Sequence, residues 1–283
     1  MAISTYAAYK RKVEAAQFNG NFTKASITYN GTSSAFNTHR HASPDNGTAP
    51  ISVAVRQFTA LTAGNLLPRG GVSPLAPPLT AKYWLAQLEL QQAVATSRPG
   101  AGLVMLVDRL VDLLPAINSA TVTPIANTAL TGFAPPRFTN GEGVMAALQT
   151  VNVIVGSPQI SLTYTNQAGT AGQTSKIVAT GTAQVLSIIP IPLADGDTGI
   201  QSVQSYNVTT AGTSGQFDIV LFKILAVMPF STTSGVNGGY REMWDSGALQ
   251  ELHPDSNLEL WSISQTSSTA SGMLIGKLGI IEG

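Results

Sequence analysis

The sequence predicts an all-β protein: an antiparallel β-sandwich or jelly-roll-like domain over residues 81–283, preceded by an extended N-terminal arm with a short helix, 1–80. Three observations predict it. Apolar and polar residues alternate in short runs from residue 82 onward. Turn-forming stretches such as "NQAGTAG", "ADGDTG", "TTAGTSG" and "STTSGVNGG" separate these runs, at roughly ten-residue spacing, which suits a sandwich and not βαβ units. Residues 19–50 hold no run able to build a core of their own.

Taken in order, residues 4–17 suit one short helix, with Ser4 as N-cap and Tyr6, Tyr9 (or Lys10) and Val13 recurring at helical spacing. Residues 19–50 are dominated by Asn, Gly, Thr and Ser, with Phe18, Phe22, Tyr29 and Phe36 set singly among polar neighbours. Spaced rings in a polar arm are what a strap across another surface needs. Tyr6, Tyr9, Phe18, Phe22, Tyr29 and Phe36 are therefore the expected arm anchors. In "LPRGGVSPLAPPL", Pro68, Pro74, Pro77 and Pro78 forbid helix interiors and central strands, so 67–79 reads as an extended linker.

The compact domain is expected from about Lys82. In "KYWLAQLELQ", Trp84, Ala86, Leu88 and Leu90 share one face, and Leu85, Gln87, Glu89 and Gln91 the other. Residues 103–114 fit a buried strand running into a turn or an amphipathic helix; strand is the reading for 103–107. Further strands are expected at 148–155, 159–165, 174–180, 183–191, 200–208, 216–228, 257–264 and 272–281. "GVNGGYREMW", 235–244, has glycines but lacks the Lys-Ser/Thr of a phosphate loop, and reads as a mobile loop.

Charged residues make up 11% of the chain and the formal net charge is zero, where an average soluble domain holds roughly 25% charged residues. Surface polarity then rests on Ser, Thr, Asn, Gln and backbone. Such a surface desolvates cheaply and suits broad protein contacts, although a secreted β protein would use the same residues. Balanced charge argues against nucleic acid as a partner, because phosphates call for excess Lys and Arg on one face. No apolar run approaches the ~20 residues of a membrane-spanning helix, so no membrane is expected. "MAISTYAAYKRKVEAAQ" lacks the apolar core of a secretory signal, and the chain is expected to be soluble and made in the cytoplasm. Without cysteine there are no disulfides or thiolate metal sites.

Catalytic constellations are not evident. His39 and His41 form H-x-H with Asp45 nearby, but the one other histidine is His253, short of a zinc ligand set. Asp195 and Asp197 in "LADGDTG" resemble the start of a calcium loop whose closing Glu is missing, and an Asx-type turn explains them better. His253 beside Asp255 suits a His-Pro surface turn. The carboxylates show no spacing that points to a facing pair. No cofactor, no metal and no enzymatic activity are expected.

Three stretches carry a resemblance. "APPRFTNGEGV" (134–144), "SLTYTNQAGTAGQTS" (161–175) and "IPLADGDTGIQSVQSYN" (191–207) are similar, in order and approximate spacing, to patterns of a family of tailed-bacteriophage virion structural proteins. The similarity covers roughly residues 80–283 and its motifs are turns and strands, with Gly169, Gly172, Gly196 and Gly199 expected at positive φ. The resemblance implies a virion component with no catalytic residues to carry over. The expectation is a capsid decoration (cement) protein on the outer capsid surface. Its partners would be the major capsid protein and other copies of itself, as a trimer. The alternative is a tail-associated or receptor-binding adhesion module, with Tyr240 and Trp244 in exposed loops.

Overall fold

In the computed structural model of the chain, residues 22–29, 39–42, 83–92, 102–112, 117–118, 125–129, 134–135, 137–183, 187–230, 238–242, 250–253, 258–264 and 272–282 are described. They form strands and turns, with every strand pair antiparallel. The strands are β1 (Phe22–Tyr29), β2 (His39–Ala42), β3 (Tyr83–Gln92), β4 (Gly102–Asp112), β5 (Ile117–Asn118) and β6 (Ile125–Ala129). β7 (Val144–Val155), β8 (Gln159–Asn166), β9 (Gln173–Thr174), β10 (Val178–Ala179), β11 (Ser187–Ile191) and β12 (Ile200–Thr210) follow. The last are β13 (Ser214–Phe230), β14 (Gly238–Glu242), β15 (Gln250–Leu252), β16 (Leu258–Ser264) and β17 (Gly272–Glu282). The expected all-β, antiparallel class is what the described residues adopt; the helix expected at 4–17 and the linker expected at 67–79 lie outside them.

The largest sheet closes on itself. Its order runs β4-β16-β2-β11-β7-β13, and β13 pairs back onto β4 from Val220↔Asp112 to Phe230↔Gly102. Six strands thus make a ring, an even number as an all-antiparallel ring requires, with β5 attached beside β13. Register shifts between Leu221/Phe222 and between Ile224/Ala226 mark bulges on the β13–β4 ladder. Bulges bend a strand and raise its twist, which is how a sheet turns its corners to close.

The pleat sorts β13 into two faces. Val220 and Phe222 point inward with Met105, Val107, Ala147, Ile188 and Trp261, a buried cluster drawn from five of the six staves. Phe217, Ile219 and Leu221 point outward and are also buried. They pack, with Val144, Ala146 and Leu148 of β7, against Ile160, Leu162 and Tyr164 of β8 and Ile200, Val203 and Val208 of β12. β8 and β12 belong to a second sheet, β10-β8-β12-β6 with β9 on β8. The expected face-to-face stacking is present, with one layer being the wall of the ring.

The third sheet is β1-β17-β3-β14, with β15 also on β3. Leu85, Ala86, Gln87 and Leu88 of β3 are all buried, so both faces of the strand are covered there. Residues 102–112 are strand throughout, which resolves the strand-or-helix ambiguity. The loop expected at 235–244 contains β14, whose Gly238–Glu242 lie opposite Gln91–Gln87; pairing to β3 overrides the glycines. Two segments of the expected arm are also strands: β1 pairs with β17 over eight residues, and β2 fills the ring between β11 and β16.

Candidate functional site

The three motif stretches meet at one place. In the first, Arg137 donates from Nε to Asp108 Oδ2 at 3.1 Å and from Nη2 to Asp108 Oδ1 at 2.6 Å, both groups being buried. This forked pair ties the loop before β7 to β4, since guanidinium and carboxylate match geometrically. The loop then turns tightly: Phe138, Gly141 and Gly143 have φ of 56°, 75° and 69°.

The second stretch makes the β8–β9 turn. Asn166 Oδ1 accepts from Ala168 N at 3.1 Å and Thr170 N at 2.9 Å, so the amide side chain replaces the backbone partners the turn lacks. Its Nδ2 donates to Asp197 Oδ1 at 2.7 Å. Tyr164 Oη, two residues earlier on the same face, donates to Asp197 Oδ2 at 2.5 Å and accepts from Ala194 N at 2.9 Å. Gln167 Oε1 accepts from Thr198 N at 3.0 Å and Gly199 N at 3.2 Å.

The third stretch closes the junction. Gly199 N and C=O are both engaged by Gln167, and Thr198 O accepts from Gly143 N at 3.2 Å. Gly169, Gly172 and Gly196 have the expected positive φ. Gly199 does not; it is glycine because a Cβ there would lie 1.9 Å from Gly141 O. Close approach of two backbones, not handedness, is the constraint at that position.

Electrostatics follow from burial. The Tyr164 phenol is pushed up to about 12 by desolvation and then by its bond to Asp197, so it stays a donor at neutral pH. Lys223 Nζ donates to Glu142 O at 3.0 Å and sits 4.2 Å from the Phe138 ring centroid, and the Phe138 and His253 rings stand T-shaped with centroids 5.4 Å apart. Desolvation lowers the Lys223 pKa, while the Glu142 and Asp108 charges oppose that shift. Both oxygens of Asp197 already accept hydrogen bonds and Asp195 pairs with Lys176. These carboxylates fasten turns. Among the described residues no group of three or more His, Cys, Asp or Glu is placed to hold a metal ion.

No family model and no curated protein matches the chain. Among solved structures it is similar to VP2 of infectious bursal disease virus. For the VP2 subviral particle the TM-score is 0.19 at 9% identity, over 92% of this chain and 80% of that one. For T=1 particles derived from the same virus it is 0.18 at 10% identity, over 93% and 78%. Likeness this slight carries no argument about fold or function.

Of the expected anchors, Tyr6, Tyr9, Phe18 and Phe36 lie outside the described residues. Phe22 and Tyr29 are the first and last residues of β1, with backbones opposite Gly279 and Gly272. His39 and His41 are in β2, and Asp45, Trp244 and Asp255 lie outside the described residues. Sequence reasoning singled out the three motifs but missed that Arg137, Tyr164, Asn166, Gln167 and Asp197 tie them to one another and to β4. The spacing of these residues along the chain gives no signal for that.

Proposed function

We propose that the chain is a structural component of a tailed-phage virion, a capsid decoration protein that binds the outer capsid surface and cross-links neighbouring major capsid subunits. One observation carries the reading. The three stretches that resemble such virion proteins are not scattered turns but parts of one packed junction, so the resemblance extends over a coherent piece of the fold. The polar groups of that junction hold one another, which favours a mechanical role over a catalytic one. The low charged content, 11% of residues, supports the same reading, since contacts with neighbours then desolvate few ions.

In this reading the protein is made in the host cytoplasm, assembles as a trimer and joins the shell after capsid formation. The stretches of 1–80 outside β1 and β2 supply the reach: Tyr6, Tyr9, Phe18 and Phe36 lie across adjoining capsid subunits, while Phe22 and Tyr29 sit at the ends of a strand bound into the protein's own sheet. Ordering a segment on binding costs entropy, which a many-copy lattice offsets through effective concentration. The test is the copy number in purified particles, measured by quantitative mass spectrometry. Hundreds of copies per particle support a capsid station. A few dozen or fewer moves the chain to the tail adhesion reading, and absence from particles overturns both.

A further inference from the structure

The second sheet differs from the rest of the molecule in one respect. None of its five strands, IANTA, QISLTYTN, QT, VA and IQSVQSYNVTT, contains a Lys, Arg, Asp, Glu or His. The ring beside it carries Asp108, Arg109, Asp112, Asp218 and Lys223 on β4 and β13 alone. On β8 and β12 the apolar residues face the ring, leaving Thr163, Thr165, Ser202, Gln204, Asn207 and Thr209 on the outer side, each partly open to solvent. Two of these already bond each other across the strands, Gln204 Nε2 donating to Thr165 Oγ1 at 2.9 Å. The Lys176–Asp195 ion pair lies in the turns outside these strands.

We infer that this outer face of β8 and β12 is where two copies of the chain meet about a two-fold axis. The inference rests on the proposed virion role and adds a contact to it. Hydroxyl and amide side chains each donate and accept, so a face built from them is complementary to itself. A charged face set against its own copy would place like charges together. An anionic or cationic partner finds no counter-charge here, whereas a second copy brings a matching uncharged surface. A three-fold contact sets different patches against one another, so the two-fold contact joins copies in addition to the expected trimer.

β12 has eleven residues, which at about 3.3 Å each span ~36 Å. β8 has eight residues, β6 five and β10 two, so with strands about 4.8 Å apart the four give a face on the order of 400 Å², below the ~800 Å² per partner of a standard interface. The contact is therefore weak for a free pair, forming at the upper end of a concentration series, and gains strength where many copies are held side by side.

The experiment uses the full chain and sedimentation velocity over a concentration series. Thr163→Lys with Asn207→Lys, and Thr163→Glu with Asn207→Glu, each add two like charges to the face. Each double variant is expected to raise the self-dissociation constant at least about tenfold, and an equimolar mixture of the two to recover wild-type association. Circular dichroism confirms folding; should a double variant misfold, Thr209→Lys tests the same face. Equal self-association of wild type, both variants and mixture overturns the inference, as does a wild-type chain that never self-associates. A chain abundant in particles yet indifferent to these charges sinks the two-fold contact alone. A chain absent from particles sinks the virion reading, whatever its self-association.

Discussion

Gly199 and Gly141 pack backbone against backbone, so that a methyl group on Gly199 would lie 1.9 Å from the Gly141 carbonyl oxygen. Neither residue can yield, because Gly141 N donates to Phe138 O at 2.7 Å and Gly199 N to Gln167 Oε1 at 3.2 Å. Gly199→Ala is therefore expected to destabilise by about 3 kcal/mol, the upper end for overpacking. Gly169→Ala meets open space and carries only the cost of φ 80°, about 1 kcal/mol. Urea midpoints for the two variants check the order. Equal midpoints would remove close approach as the reason for Gly199.

The Tyr164–Asp197 bond makes a pH prediction. The phenol pKa is raised in the folded chain to about 12 from 10.0. A raised pKa means that the contribution is full below pH 10 and fades as pH climbs toward 12. Tyr164→Phe is expected to lose about 1–3 kcal/mol at neutral pH, since Asp197 and Ala194 N each lose a partner. Its stability should then fall less steeply than wild type above pH 10. Parallel alkaline decline of the two in urea melts would contradict this account.

Arg137 is the buried partner of Asp108. Removing one side of a buried pair leaves the other charge uncompensated, so Arg137→Ala is expected to cost about 3–5 kcal/mol. Arg137→Lys retains the charge without the fork and should cost less. Thermal melts at neutral pH order wild type, Lys and Ala; a mutant Ala as stable as wild type would show that the loop is held by its glycine turns alone.

Trp261 fills the ring, fully buried with its ring centroid 4.4 Å from that of Phe222. Trp261→Ala is expected to cost about 3–5 kcal/mol, and Trp261→Phe less because part of the volume remains. The change in denaturation midpoint measures both. A small loss in Trp261→Ala would mean that the ring collapses onto the space.

The arm requires substitution, not deletion. Removing residues 1–50 also removes β1 and β2, and with β2 the stave between β11 and β16. Tyr6→Ser, Tyr9→Ser, Phe18→Ser and Phe36→Ser together spare those strands. Binding of this variant to empty heads is expected to fall by an order of magnitude or more while the melting temperature holds, at roughly 1 kcal/mol or more per anchor ring lost. Undiminished binding in a pelleting assay would end the strap.

The strands were legible because their signal is local. β8, expected at 159–165 and observed at 159–166, alternates apolar and polar with period two; β12, expected at 200–208 and observed at 200–210, keeps its apolar side through three register shifts against β8. β14 was not legible: "NGGYREM" reads as loop by composition, and only pairing with Gln87–Gln91 makes part of it strand. Gly199 was singled out correctly as constrained but for another cause, because the atom it must avoid lies 58 positions away in the chain, on Gly141.

What the sequence alone determined is the class and the punctuation: antiparallel strands, neutral side chains and glycine turns, each decided by residues within a few positions of one another. Closure of six strands into a ring, the insertion of β2 as one of its staves and the meeting of three turns were decided only by tertiary structure. Those depend on contacts between segments distant in the chain, where backbone pairing and side-chain volume select the partner and no local pattern records it.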